Sequence, residues 1–136
     1  MKKRILIIED HDDFRAMLRS YLNRHKLDLE IFEASTGEMG VTKASCVRPD
    51  IVLMDINLPR TNGLEAAKQI KEDHFDCDII FLTVFDVSVF KKAAEKLKAR
   101  AFIGKNEVYE QLLPIIKECL DDKEVSRKKA RIYPRG

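Results

Sequence analysis

The sequence predicts an α/β fold built on a parallel sheet, and two observations support that prediction. Short apolar runs recur along the chain at residues 5–8, 29–32, 51–54, 79–82 and 101–103. The segments between these runs place apolar residues at helical spacing, so strands and helices alternate. Such alternation is typical of a parallel sheet whose right-handed crossovers put helices on both faces. We therefore expect a doubly wound, five-stranded α/β domain.

The apolar runs differ in a way that indicates where each strand lies. Runs 5–8, 51–54 and 79–82 are continuously apolar, which is typical of strands buried on both faces. The run 29–32 instead alternates partly with charge, through Glu30 and the following Glu33. This pattern favours an edge strand for the second run.

The sequence indicates the apolar face of the first helix and the first residues of the second and third helices. One apolar stripe runs along the first helix and consists of Phe14, Met17, Leu18, Tyr21 and Leu22. Ser35 and Glu38 have capping-box spacing, which predicts the start of the second helix. Asn62 and Glu65 show a similar pattern at the start of the third.

The last two helices are predicted to begin at Asp86 and Asn106, whose side chains suit N-caps. Pro114 lies inside the last helical pattern and predicts a kink or a later start. That helix also carries a second apolar stripe, formed by Tyr109, Leu113, Ile116 and Leu120. An exposed apolar stripe often marks a partner surface, whereas deep packing between neighbouring elements would bury the same residues. Both interpretations remain open.

Composition bounds the class of protein. The chain has 136 residues, 45% hydrophobic and 35% charged, which suits one folded domain and excludes a disordered chain. No apolar run approaches the roughly 18 residues of a membrane helix. The three cysteines lack metal-ligand spacing and predict reduced, mostly core residues of a cytoplasmic protein. Residues 121–136 hold six Lys or Arg and three Asp or Glu, which predicts a basic linker or tail after a domain of residues 1–120.

The residues that close the predicted strands carry the chemistry of the chain. Glu9 and Asp10 follow the first strand, and Asp55 follows the third. Thr83 ends the fourth strand, and Lys105 comes shortly after the fifth. All strands of a parallel sheet end at one edge, where open α/β sheets bind their ligands. We therefore expect carboxylates, a hydroxyl and an ammonium to converge there.

This set of groups indicates a particular reaction. Carboxylates held close together repel, and they stay ionised only with a cation between them. Oxygen ligands without thiolate or imidazole partners favour Mg²⁺ (or Mn²⁺) over zinc. A central carboxylate with a hydroxyl and an ammonium beside it suits an aspartyl-phosphate. The predicted chemistry is in-line phosphoryl transfer onto Asp55.

Over residues 3–120 the sequence resembles the response-regulator receiver domains of bacterial two-component signalling. The resemblance rests on residues 5–12 (ILIIEDHD), 33–38 (EASTGE), 49–59 (PDIVLMDINLP), 62–65 (NGLE), 81–83 (FLT) and 102–105 (FIGK). It implies a flavodoxin-like sheet of strand order 2-1-3-4-5.

The resemblance also implies the role of each residue in the acidic pocket. Asp55 would be the phosphoacceptor, and Glu9 and Asp10 would bind Mg²⁺ together with Asp55. The main-chain carbonyl of Asn57 would be a further metal ligand.

A second group of residues would sense the phosphoryl group. Thr83 and Lys105 would contact it directly. Phe102 would be the aromatic side chain whose rotamer follows phosphorylation, and Thr83 would take part in the same switch. The fourth helix, fifth strand and fifth helix would form the surface that changes.

The sequence departs from the family pattern at several positions. Val84 stands where a small residue is usual, which should narrow the approach to Asp55, with Phe85 as the neighbouring candidate for the same effect. Asn106 stands where a proline is common, and Lys98 where a turn glycine is common.

The leading functional hypothesis is a signalling switch, phosphorylated by a sensor histidine kinase, that acts on an output domain or a second copy of itself. It would be the N-terminal receiver of a transcriptional regulator, binding DNA only through a C-terminal domain, or a stand-alone regulator. An aspartate-nucleophile phosphatase is less favoured, because such enzymes need a second acid where this chain has Asn57. A phosphorylation-independent binding module would have lost the aspartate or the lysine, and neither is lost. No membrane partner is expected.

Overall fold

The computed structural model describes residues 2–74, 76–84 and 87–132. Strands and helices alternate along these ranges: β1 (Lys3–Ile8), α1 (Asp12–Arg24), β2 (Leu29–Ala34), α2 (Gly37–Val47), β3 (Ile51–Asp55), α3 (Gly63–Asp73), β4 (Asp78–Thr83), α4 (Val87–Lys96), β5 (Ala101–Gly104) and α5 (Val108–Ile132). A 3-10 turn, Lys105–Glu107, joins β5 to α5. Phe85 and Asp86, predicted as an access residue and a helix cap, lie outside the described residues.

The described strands form one parallel five-stranded sheet in the order β2-β1-β3-β4-β5. Ile5 of β1 pairs with Ile31 of β2 on one side and with Ile51 of β3 on the other. The predicted sheet order and the edge position of the second strand are both confirmed.

Two apolar cores lie on opposite faces of the sheet, which explains the continuous apolar runs. Along β1, Ile5 and Ile7 belong to the core formed with α1 and α5, whereas Leu6 and Ile8 belong to the core formed with α2, α3 and α4. All four side chains are fully buried. Successive strand residues point to opposite faces, so both faces need apolar side chains.

The helix caps agree with the sequence at α3 and differ at α2. Asn62 caps α3 as predicted, and its side chain accepts the Leu64 N–H at 2.8 Å. The cap of α2 is Thr36 rather than Ser35. Its backbone is extended, so the hydroxyl can accept the Met39 N–H at 3.1 Å.

The start of α5 also differs from the prediction. Asn106 lies inside the 3-10 turn and is not the cap, since α5 begins at Val108. The helix runs through Pro114 rather than starting later. Leu112 and Ile116 on either side of the proline are fully buried, and this packing holds the helix together across it.

Helix α5 continues past residue 120, where the sequence predicts a linker or tail. The added residues are mostly good helix formers, so the helix extends without an apolar stripe. Arg100 forms ion pairs with Glu118 and Asp122, and Lys123 lies 3.6 Å from Asp78. The turn after residue 120 is therefore held to the body of the domain, while the boundary at 120 stays a prediction. No described helix is both long and apolar enough to cross a membrane.

The second apolar stripe of α5 is divided between core and surface. Ile116 is fully buried, and Leu113 and Leu120 pack partly against the core that contains it. Tyr109 is 62% exposed, with its ring edge-on to that of Tyr21. Most of this stripe therefore stabilises the domain, and Tyr109 is its exposed member.

The cysteines are free thiols, and two of the three are buried. Burial raises the pKa of both Cys77 and Cys119 to about 12, so both thiols stay protonated at neutral pH. Cys46 is exposed on α2. The prediction of mostly core cysteines is confirmed.

The loop between β3 and α3 brings the start of α3 against the backbone that follows Asp55. The Gly63 N–H donates to the Ile56 carbonyl at 2.8 Å. A Cβ atom on Gly63 would meet the Asp55 carbonyl oxygen and lie 2.7 Å from the Ile56 Cα. This approach therefore requires glycine, and it fixes the residue that closes β3.

We expect Gly63→Ala to lower the free energy of unfolding by about 1–3 kcal/mol, because the new methyl group forces backbone shifts in a packed region. Urea unfolding followed by circular dichroism measures the change. Gly104→Ala is the matched control, since a Cβ there meets chiefly the end of the Asn106 side chain. A Gly63→Ala protein as stable as the Gly104→Ala protein would contradict the close approach.

Candidate functional site

The carboxyl ends of four strands bring the predicted site residues to one edge of the sheet. Glu9 directly follows β1, Asp55 ends β3, and Thr83 ends β4. Lys105 begins the turn after β5. Glu9, Asp55 and Thr83 are all buried, although charged and polar side chains rarely are. The convergence predicted from topology is present.

The ammonium of Lys105 joins two of the buried carboxylates. Its Nζ atom lies 2.8 Å from Glu9 Oε1 and 3.2 Å from Asp55 Oδ2. The lysine side chain is only 9% exposed, so these ion pairs are poorly screened by water. The same Nζ lies 4.4 Å from the centroid of the Phe14 ring, a cation–π contact.

The electrostatics of Glu9 reflect its burial. Loss of hydration raises the pKa of the Glu9 carboxyl, and the negative charge of Asp55 raises it further. The hydrogen bond from Lys105 and its positive charge act in the opposite direction, but burial outweighs them. The site therefore lacks positive charge for the acids that it holds.

The Asp55 carboxylate has both oxygens fixed. Oδ1 accepts the Asn57 N–H at 3.0 Å, and Oδ2 accepts from Lys105. These bonds orient the carboxylate at the end of the strand. The role of the Asn57 carbonyl as a metal ligand stays a prediction.

Two carboxylate oxygens of the site suit a bound cation. Glu9 Oε2 and Asp10 Oδ1 are buried and have no hydrogen-bond partner among the described residues, a costly arrangement unless another group satisfies them. Ligand atoms of Glu9, Asp10, His11 and Asp55 all lie within 4.8 Å of one another. This donor set fits a divalent cation.

His11 is the member of this cluster that the sequence analysis missed. Its side chain is 70% exposed, yet Nδ1 lies 3.0 Å from Glu9 Oε1. The available signal was its place directly after Glu9 and Asp10, before the first residue of α1. Because His11 lies outside the helix, the spacing of apolar residues along α1 gives no information about its side chain.

The residues predicted to switch or to gate lie around the same edge. Thr83 pairs with Gly104 in the ladder between β4 and β5. The Phe102 ring is half-buried, 5.7 Å from that of Phe81. Val84 directly follows Thr83 and is 71% exposed. Their roles in switching and access stay predictions.

The other two departures from the family pattern, Lys98 and Asn106, concern the conformation of the backbone. Lys98 adopts a left-handed backbone with a φ of 58°, which explains why glycine is the easier residue at that turn. No peptide bond is cis between any two described residues, including those around Asn106.

Comparison with known proteins assigns the class. The family model of the response regulator receiver domain matches residues 5–117, and the chain belongs to that family. Among its relatives, the transcriptional regulatory protein YdfI of Bacillus subtilis (strain 168) is 36% identical over 109 residues, which cover 80% of this chain and 51% of YdfI. The alkaline phosphatase synthesis transcriptional regulatory protein PhoP of the same organism is 30% identical over 105 residues. These residues cover 77% of this chain and 43% of PhoP. The chain thus spans about half the length of these relatives.

A solved structure confirms the fold. The response regulator receiver domain protein (CheY-like) from Methanospirillum hungatei JF-1 superposes with a TM-score of 0.83 at 27% identity. The match covers 93% of this chain and 99% of that one.

Replacing Lys105 by Gln would leave the buried carboxylates of Glu9 and Asp55 facing each other without their cation. Removing one partner of a buried pair costs about 3–5 kcal/mol, so we expect a loss near the lower figure, since Glu9 can take up a proton. Urea unfolding at neutral pH without divalent cations measures it. The exposed Lys68 on α3 provides a matched Lys68→Gln control, expected within about 0.5 kcal/mol of the parent. Equal stability of the two variants would contradict the structural role of Lys105.

Proposed function

We propose that the chain is a phosphorylation-controlled signalling switch in which Asp55 accepts a phosphoryl group from the histidine of a sensor histidine kinase. The observation that carries the proposal is the buried Asp55 carboxylate, held 3.2 Å from the Lys105 ammonium. Beside it are Glu9 Oε2 and Asp10 Oδ1, which accept no hydrogen bond from any residue that the structure describes. Membership of the receiver-domain family supports the same chemistry.

The transfer is an in-line displacement at phosphorus. An Asp55 carboxylate oxygen forms a bond to phosphorus while the phosphorus–nitrogen bond to the donor histidine breaks, and the electron pair returns to the imidazole. Lys105 stabilises negative charge on the phosphoryl oxygens, and the Asn57 N–H orients the nucleophile. Glu9, Asp10, Asp55 and the Asn57 carbonyl would hold Mg²⁺ (or Mn²⁺), which neutralises further phosphoryl charge. The protein is the acceptor and assists its own phosphorylation and dephosphorylation, rather than acting as an enzyme on other substrates.

The response to phosphorylation would travel through Thr83 and Phe102. Once the phosphoryl group is on Asp55, the Thr83 hydroxyl and Lys105 would bind its oxygens, and Phe102 would change rotamer. Thr83 and Phe102 lie on adjacent strands, β4 and β5, which supports this coupling. The partner surface would be α4, β5 and α5, including the exposed Tyr109, and would bind an output domain or a second copy.

The output is proposed to be transcriptional. YdfI is a transcriptional regulatory protein, and this chain resembles about half of the length of YdfI. DNA would then be bound by a separate C-terminal domain following the receiver, with the receiver in the cytoplasm. A stand-alone regulator is the alternative. A phosphatase is disfavoured, because Asn57 has no acidic group at the position where such enzymes carry one.

We expect Asp55→Asn to abolish phosphorylation, because the amide cannot act as the nucleophile. Incubation with acetyl phosphate and Mg²⁺, followed by intact-mass measurement, should show one added phosphoryl group on the parent and none on the variant. Chelation of the cation should also prevent the gain. Asp13→Asn, an exposed acid on α1, is the matched control and should be phosphorylated like the parent. An Asp55→Asn protein that still gains the group would refute the assignment.

We expect Val84→Ala to speed both phosphorylation by acetyl phosphate and hydrolysis of the phosphoprotein. A β-branched side chain has few rotamers by which to leave the rim of the site, and displacements near 1 Å can change such rates by about a hundredfold. The affinity for Mg²⁺ should be nearly unchanged. Val125→Ala, at another exposed valine, is the control. Rates of Val84→Ala within about twofold of the parent, or ~0.4 kcal/mol in barrier, would exclude gating at this position and make Phe85 the better candidate.

A further inference from the structure

His11 brings an imidazole to the acidic site. Its Nδ1 atom lies 3.0 Å from Glu9 Oε1 and 3.4 Å from Asp10 Oδ1. One ligand atom from each of Glu9, Asp10, His11 and Asp55 lies within 4.8 Å of the others. We propose that His11 is a metal ligand of this site. With this ligand, the site binds borderline divalent cations more tightly than its carboxylates alone would. The cations that test this are Zn²⁺, Co²⁺ and Cu²⁺.

The separations of these atoms match those between ligands of a single metal ion. Zinc bonds of about 2.0–2.2 Å to nitrogen and oxygen place adjacent tetrahedral ligands roughly 3.4 Å apart. The imidazole lies 3.4 Å from Asp10 Oδ1, which equals that value. It lies 3.0 Å from Glu9 Oε1, where it forms a hydrogen bond that a metal ion bound to both atoms would replace. The His11 side chain makes no capping bond to α1. It can therefore turn toward a metal ion without any loss to the helix.

Unsatisfied oxygens give independent support for a ligand at this place. Glu9 is 1% exposed, and its Oε2 atom has no hydrogen-bond partner within the described ranges. Asp10 Oδ1 also accepts no hydrogen bond within these ranges, although the His11 imidazole lies 3.4 Å from it. A bound cation would satisfy both oxygens. It would also add positive charge to a cluster in which the carboxylates of Glu9 and Asp55 share the ammonium of Lys105.

The nitrogen ligand determines which cations the site binds more tightly. Oxygen ligands alone suit Mg²⁺, whereas imidazole suits zinc, copper and nickel. Affinity for a mixed nitrogen and oxygen site rises from Mn²⁺ toward Cu²⁺. Mg²⁺ prefers oxygen and keeps several of its waters, so His11 adds little to its binding. The proposal rests on the cation site of the proposed function, but not on phosphorylation of Asp55.

Isothermal titration of the untagged chain with ZnCl₂, and separately with MgCl₂, tests the affinity. We expect His11→Asn to weaken Zn²⁺ binding by about tenfold or more while Mg²⁺ affinity changes by less than about twofold. Asp10→Asn should weaken the binding of both cations, because both use its carboxylate. Unchanged Zn²⁺ affinity in His11→Asn would overturn the proposal.

Electron paramagnetic resonance of bound Cu²⁺ tests the ligand directly. The chain has three histidines, so a His25→Asn, His74→Asn double variant leaves His11 as its only imidazole. We expect nitrogen superhyperfine splitting in this variant and its loss when His11→Asn is added. Absence of the splitting in the double variant, or its survival after His11→Asn, would also overturn the proposal.

The results separate this proposal from the proposed function. If His11→Asn retains Zn²⁺ affinity while Asp55 is still phosphorylated with Mg²⁺, only the role of His11 is wrong. If the imidazole binds Cu²⁺ and Zn²⁺ but Asp55 gains no phosphoryl group, the role of His11 stands and the proposed switch is wrong.

Discussion

The ammonium of Lys105 is the interaction on which the arrangement of the site depends. From the turn after β5 it contacts Glu9 at the end of β1 and Asp55 at the end of β3, so one charge ties together three strands. Without it, two buried acids would repel at close range. Burial already raises the pKa of Glu9, so the lysine offsets only part of the cost of placing these groups out of water. The remaining deficit of positive charge is the electrostatic reason why the site suits a cation.

The sheet explains why these polar groups collect where they do. Within β1, Ile5 and Ile7 belong to one core while Leu6 and Ile8 belong to the other. The buried part of the strand, residues 5–8, therefore has no position available for a polar side chain. The first residue beyond the strand, Glu9, is released from that demand. Parallel pairing then puts the corresponding positions of neighbouring strands side by side. Double burial and parallel topology together therefore confine the chemistry to one edge.

The parts of the fold and site that the sequence predicts are those governed by burial and topology. Continuous apolar runs predict the strands, and the residues that end them predict the site. The cap of α2 lies one residue from its expected place, because Ser35 and Thr36 are both competent caps and only the backbone dihedral angles select one. The approach of His11 to the acids depends on side-chain geometry at the start of α1. The length of α5 depends on contacts with Arg100 and on helix propensity, neither of which an apolar pattern records.

The turn that begins at Lys105 leads directly into α5. This helix has 25 residues and is therefore about 37 Å long. Strands of five or six residues, such as β1, β3 and β4, span only about 20 Å. Its length therefore exceeds the span of the strands that it packs against. The ion pairs of Arg100 and the contact of Lys123 hold the helix part-way along, which leaves about 14 Å of helix beyond them. A tilt of about 5° about that point would move the far end by roughly 1 Å.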